Sequence, residues 1–166
     1  MNKIGIFYGS SGGNTQNVAK TIAKKLNVSD NDVYNVAKAG ANDLIPYEIL
    51  LLGSSTWGYG DLQDDWESFI KIISSVDLTN KKIALFGCGD SSSYPDTFCS
   101  AMGIIYKTVS KKAEIIGLTG TDGYSFDDSE AIINGQFAGL AIDEDNESNL
   151  TEERINNWVE ALKKAI

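Results

Sequence analysis

Gly9-Ser10-Ser11-Gly12-Gly13-Asn14-Thr15 lies between an apolar run, Ile4 to Tyr8, and a helix-periodic run from Gln16 to Leu26. A strand, a glycine-rich turn and a helix start in that order make an anion site. The first-turn N–H groups of a helix have no intrahelical partners, and the helix dipole adds positive potential there. No Lys or Arg lies between Gly9 and Thr15, so an anion here is held by amides and hydroxyls alone. A Walker A loop counted from Gly9 would need Gly and Lys where Asn14 and Thr15 stand. The dinucleotide fingerprint G-x-G-x-x-G fails as well, because Ser11 occupies its second glycine position. Taken alone, the stretch also reads as an ordinary βα connection.

Outward from this loop, apolar runs alternate with helical periodicity. Strands are expected at Lys3–Tyr8, Asp32–Val36, Ile49–Leu52, Lys82–Cys88 and Ala113–Leu118. Several are continuous apolar runs, as in strands covered on both faces of a parallel sheet. Helical stripes are formed by Val18, Ile22 and Leu26; by Trp66, Phe69, Ile70 and Ile73; and by Phe98, Met102, Ile105 and Val109. A C-terminal helix carries Ile155, Trp158, Val159, Leu162 and Ile166, with Thr151 as its expected N-cap. This rhythm predicts an α/β, doubly wound three-layer sandwich with a five-stranded parallel sheet of order 2-1-3-4-5. Residues 119–142 break it with glycines, an acidic cluster and an Asn134-Gly135 turn signal. They read as an insertion with its own hairpin, interrupting or following the fifth strand.

The 166 residues suit one domain, 1–166, with a full hydrophobic core. No run approaches a membrane span and no signal-peptide pattern opens the chain, so a soluble, cytoplasmic protein is expected. Cys88 and Cys99 lack metal-site spacing and read as small buried thiols. Histidine is absent, which excludes Ser-His-Asp and Cys-His centres and imidazole metal ligands. The net charge of −9 disfavours nucleic acid and anionic membranes and favours a basic protein partner.

In an open parallel sheet, ligands sit outside the carboxyl ends of the strands where the strand order reverses. The loops after strands one, three and four therefore belong together. After strand three runs Gly53-Ser54-Ser55-Thr56-Trp57-Gly58-Tyr59-Gly60-Asp61; after strand four runs Gly87-Cys88-Gly89-Asp90-Ser91-Ser92-Ser93-Tyr94-Pro95. Aromatic residues on polar loops beside an anion site suggest a phosphorylated planar heterocycle held between two rings.

With these motifs the chain resembles, from end to end, the long-chain flavodoxins, which are FMN-containing electron carriers. The family's phosphate loop, [ST]-x-T-G-x-T, falls on Ser10, Gly12, Gly13 and Thr15. Its flavin loop falls on Thr56-Trp57-Gly58-Tyr59-Gly60-Asp61-Leu62 with Asp65-Trp66, and its G-D-x-x-x-Y loop on Gly89, Asp90 and Tyr94. Gly123 to Phe126 and Gly139 to Asn146 resemble the extra loop and tail of the long-chain members. The resemblance also implies that FMN lies at the switch point between β-strands one and three.

The resemblance implies that Ser10, Ser11, Gly12, Gly13, Asn14 and Thr15 hold the FMN phosphate. Thr56 then lies near the phosphate and ribityl chain, and Trp57 and Tyr94 cover the two flavin faces. Backbone groups of Gly58, Tyr59, Gly60, Gly89 and Asp90 meet the flavin's polar edge, and Asp145 approaches the ribityl chain. Gly12 departs from the family, which usually has Thr there; the missing hydroxyl would weaken FMN binding by about 1–2 kcal/mol. A glycine at the first central position of Trp57-Gly58-Tyr59-Gly60 tolerates a type II′ turn, so the Gly58–Tyr59 peptide is expected to flip on reduction.

The implied function is a low-potential one-electron carrier shuttling FMN between semiquinone and hydroquinone, not an enzyme. Its expected partners are basic patches of flavodoxin or ferredoxin reductases and of electron acceptors, met by a monomer. The alternative is an NAD(P)H:quinone reductase on the same fold. A response-regulator receiver is disfavoured, because Phe7-Tyr8-Gly9 and Leu52-Gly53-Ser54 stand where its carboxylates belong.

Overall fold

The computed structural model describes residues 2–166. The chain opens with β1 (Ile4–Gly9) and α1 (Asn14–Lys25), then β2 (Val33–Asn35) after a short 3-10 turn. A one-turn helix α2 (Ala41–Leu44) leads to β3 (Ile49–Trp57), which folds back antiparallel onto β4 (Asp61–Leu62). Next come α3 (Asp64–Ser75), β5 (Lys82–Cys88), α4 (Ser100–Val109) and β6 (Glu114–Ile116). A hairpin of β7 (Ile132–Ile133) and β8 (Gln136–Phe137) precedes β9 (Leu140–Ile142) and α5 (Glu144–Ala165). The parallel path runs β2-β1-β3-β5-β6, which is the expected 2-1-3-4-5 order of five strands, with β4 as a side branch.

Two apolar layers sandwich the sheet. On one face Val18, Ala19 and Ile22 of α1 meet Ile155, Trp158 and Leu162 of α5 over Ile6, Leu51 and Phe86. On the other, Trp66, Phe69 and Ile73 of α3 and Met102 and Ile105 of α4 cover Phe7, Leu50, Leu52 and Leu85. Alternate residues of β1, β3 and β5 thus enter opposite layers, and both are buried, which is why these strands read as unbroken apolar runs. Among the described residues no helix is long and apolar enough to cross a membrane.

Apart from shifts of one or two residues at the ends of β1, β2 and α1, three boundaries differ from the expectations. β3 continues past Leu52 to Trp57, because the small residues Gly53, Ser54 and Ser55 still pair with β1 and β5. The fifth strand is split. β6 pairs with Lys82–Ala84 at the lower half of β5, and β9 pairs with Phe86–Cys88 at its upper half. The insertion interrupts the strand, and its last three residues, 140–142, are strand rather than insertion. Its hairpin turns at Asn134-Gly135 with φ of 52° and 83°, the two positive values a type I′ turn needs. Finally, Thr151 is not the cap of the last helix. That helix begins at Glu144, has a non-helical residue at Glu147 (φ −133°, ψ 42°), and places Thr151 inside, its hydroxyl bonded to the Glu144 carboxylate.

Candidate functional site

The loops leaving β1, β3 and β5, joined by the segment after β9, enclose a cleft of about 420 Å³. The first loop and the start of α1 supply Ser10, Gly12, Asn14 and Thr15; the carboxyl end of β3 supplies Ser55, Thr56 and Trp57; the end of β5 and the loop after it supply Cys88, Gly89, Asp90 and Tyr94; the start of α5 supplies Asp145. Ten of the positions expected from sequence therefore line one space. Ser11, Gly13, Gly58, Tyr59 and Gly60 are not among the lining residues, whereas Ser55 and Cys88 line it unanticipated. A small residue at the carboxyl end of a central parallel strand is the only signal that could have found those two.

Local chemistry shapes the first loop. Gly13 sits at φ 95°, a conformation that suits glycine, and its N–H donates to Ser10 Oγ at 3.0 Å. Its carbonyl accepts from Asn17 N–H at 3.0 Å and so starts α1. Next along the chain, the Thr15 side chain is fully buried, yet its hydroxyl has no hydrogen-bonding partner. Beneath it lies Cys88, whose thiol burial pushes up to about 12 against the pull of the Thr15 hydroxyl. That contact lacks hydrogen-bond geometry, and the Thr15 hydroxyl stays unpaired. A buried hydroxyl left unpaired costs free energy unless a ligand completes it. Ser11 behaves differently: it is exposed, and its hydroxyl turns away to accept from Gln63 Nε2 at 3.0 Å.

The second and third loops carry the aromatic rims. Trp57 and Tyr94 are 48% and 44% exposed, and Trp57 Nε1 donates to Ser55 Oγ at 3.0 Å. Tyr59, at the tip of the β3–β4 hairpin, is 92% exposed. Gly58 adopts φ 54°, the sign a type II′ turn demands, and Gly60 N–H donates to Trp57 O at 3.2 Å. Thr56 Oγ1 accepts from Ala101 N–H at 3.1 Å, which docks α4 against the loop while leaving the hydroxyl proton free.

Carboxylates wall the opposite side. Asp90 accepts from Ser93 N–H (3.0 Å), Ser92 N–H (3.2 Å) and Asn146 Nδ2 (2.9 Å). Foremost among these the Ser93 bond holds its carboxyl below the usual carboxylate range. Asn146 also donates to the fully buried Asp143 at 2.9 Å, so one side chain ties the third loop to the start of α5. Asp145 goes the other way. Desolvation first, then the facing charges of Asp90, Asp143 and Glu144, raise its carboxyl above the ordinary value. Because Asp145 is nevertheless exposed, solvent screens most of this. The shift disfavours the charged form in the folded chain, so it lowers stability above the ordinary carboxylate range and not below it. Asp145→Asn is therefore expected to raise Tm slightly at pH 7, the gain vanishing as pH falls through that range in thermal melts.

The cleft thus pairs a cation-free helix N-terminus and an orphan hydroxyl with two half-exposed aromatic rings. That donor set suits a phosphate monoester attached to a flat, apolar ring system. Gly12 adds an open position, since a Cβ built there meets no atom within 4 Å.

The family model described as Flavodoxin matches residues 6–158. A flavodoxin of Nostoc sp. is 43% identical over 162 residues, covering 97% of this chain and 95% of that one. Flavodoxin 1 of Escherichia coli is 43% identical over 164 residues, with 98% and 93% covered. Among solved structures, Fusobacterium nucleatum flavodoxin bound to flavin mononucleotide superposes with a TM-score of 0.93 at 33% identity, covering 100% of this chain and 99% of that one.

Proposed function

The chain belongs to the flavodoxin family, and from that premise we propose that it binds FMN in this cleft and carries single electrons between other redox proteins. The observation that carries the reading is the buried, unpartnered Thr15 hydroxyl at a helix start without any cation. Bound there, FMN would supply the one-electron chemistry, and the protein's residues would hold and tune it. Ser10, Thr15 and the first-turn amides hold the phosphate, Thr56 and Asp145 flank the ribityl chain, and Trp57 and Tyr94 cover the ring faces.

Two features keep the fully reduced, anionic flavin unfavourable. No Lys or Arg stands in the phosphate loop, whereas Asp61, Asp64, Asp65, Glu67 and Asp90 lie close to the cleft-forming segments in sequence, and Asp90 lines the cleft itself. One such charge at ~12 Å and an effective dielectric of ~40 opposes the added electron by roughly 0.7 kcal/mol, and several act together. Aromatic faces repel added negative charge as well. The same acidic rim docks on basic patches of reductases and acceptors, at rates that fall as salt rises.

On this reading the Gly58 carbonyl would accept a hydrogen bond from the FMN ring once the ring is protonated. A valine at φ 54° costs about 1–2 kcal/mol, and its Cβ would lie 3.0 Å from Asp61 Oδ2. Gly58→Val is therefore expected to reduce the half-reduced flavin that accumulates during titration; unchanged accumulation would remove Gly58 from this role.

Gly12→Thr is expected to tighten FMN binding about fivefold, by returning one hydroxyl to the cradle in unobstructed space. Fluorescence titration of the cofactor-free protein reads this directly, and riboflavin affinity should not move.

As a carrier, the FMN-loaded protein leaves NAD(P)H unoxidised when a quinone is added without a reductase. Rapid NAD(P)H oxidation under those conditions would instead identify a quinone reductase.

A further inference from the structure

Gln63 lies between the flavin hairpin and α3, is 1% exposed, and satisfies every polar atom it has. Its backbone N–H donates to Ser54 Oγ at 3.2 Å and its carbonyl accepts from Trp66 N–H at 2.8 Å. Its side-chain Oε1 accepts from Asp65 N–H at 3.0 Å, which caps α3. That bond fixes the amide's orientation, because a backbone N–H can only donate. The other end of the amide is therefore Nε2, and its two protons go to Asp65 Oδ2 at 2.8 Å and Ser11 Oγ at 3.0 Å. Gly9 leaves the passage for this side chain. A Cβ at Gly9 would stand 2.4 Å from Gln63 Oε1 and 2.5 Å from Trp66 Cδ1.

Ser11, which does not line the cleft, is thereby anchored by its side chain to the cap of α3, while Ser10, Gly12 and Asn14 line it. A glycine-rich loop has little of its own to hold one shape, so a fixed point in its middle restricts how its amides face the cleft. Gln63 is also continuous in sequence with β4, the return strand of the flavin hairpin, and is tied through Ser54 to β3.

We infer that Gln63 is a positioning residue that presets the phosphate loop through Ser11, so that its contribution is confined to the phosphate group of the ligand. The inference rests on FMN being the ligand of this cleft. Gln63 does not touch the ligand; it acts on the loop that does.

The test is a comparison of FMN with riboflavin, which lacks the phosphate, by fluorescence titration of cofactor-free protein. Gln63→Met keeps the length and apolar packing of the stem but loses both donors and the cap; Ser11→Ala, at an exposed position, removes only the acceptor and should not disturb folding. Each is expected to weaken FMN binding about five- to tenfold, the weight of one hydrogen bond, while riboflavin affinity stays within about twofold. Combined, the two substitutions should cost no more than Gln63→Met alone, since they break the same link.

A merely structural role for Gln63 predicts equal losses for FMN and riboflavin, and that result would overturn the inference. So would an unchanged FMN affinity in Ser11→Ala. If the unaltered protein itself failed to prefer FMN over riboflavin, the FMN reading would fall first, which separates the two failures.

Discussion

Thr15→Val is expected to lower FMN affinity about 10- to 100-fold while leaving the cofactor-free protein as stable as before, or more so. The two effects have one cause. Without cofactor the Thr15 hydroxyl is buried with no hydrogen-bonding partner, so replacing it with a methyl of the same shape removes an unmet polar group and no hydrogen bond. On the proposed reading the hydroxyl would donate to a charged phosphate oxygen of bound FMN, and a hydrogen bond to a charged group is worth about 1.5–3 kcal/mol. Val keeps the volume of Thr, and the neighbouring buried atoms of Cys88 and α1 are undisturbed. Riboflavin affinity is the control and should not change. Calorimetry of the cofactor-free protein beside titrations with both flavins measures all three quantities; an unchanged FMN affinity would show that Thr15 does not face the phosphate.

Gly139→Ala is expected to produce the largest loss of stability of any substitution considered. A Cβ at Gly139 would lie 1.9 Å from the carbonyl oxygen of Leu85 and 2.5 Å from its carbonyl carbon, both backbone atoms of β5 that cannot swing aside. The chain must instead move β9 away from β5, which breaks the pairing of Phe86–Cys88 with Leu140–Ile142. That pairing carries more than the sheet: Ile142 O accepts from Gly89 N–H at 3.0 Å, and Asp143 to Asn146 follow directly as the acidic wall of the cleft. Overpacking of this kind costs about 3 kcal/mol or more, and at roughly 2–4 °C per kcal/mol Tm should fall by about 6–12 °C. FMN affinity should fall with it. Gly120→Ala lies in the same insertion, has open space around its Cβ and no unusual φ, and should melt like the unaltered protein. Equal melting of both variants would mean that β9 does not depend on this close approach.

The sequence revealed the parallel core because its strands are buried on both faces and its helices keep a clean apolar stripe. It revealed the loops of the site because polar, glycine-rich segments bearing Trp57 and Tyr94 are odd places for aromatic rings. The split of the fifth strand was only half legible. Asn134-Gly135 announced the hairpin, but Leu140–Ile142 is three residues long, too short to show a period, and Gly117 at φ 78° ends β6 at Ile116 without a pattern to mark it. The start of α5 was missed for a related reason. Residues 144–150 are polar apart from Leu150, and the segment is held by side-chain bonds of Asn146 and Thr151, and by Arg154 reaching Glu147 at 3.0 Å and Gly123 O at 3.0 Å. Nothing in the sequence distinguishes Gln63 from any other polar residue before a helix. Only its burial and its reach to Ser11, 52 positions earlier, show what it does.

The most direct test of the electron-carrier account is a reductive titration of the FMN-loaded protein, followed by absorbance against potential. The account predicts two separated one-electron steps, with half-reduced flavin accumulating between them and the second step lying below the corresponding step of free FMN. A single two-electron reduction, or a second step no lower than that of free FMN, would contradict it.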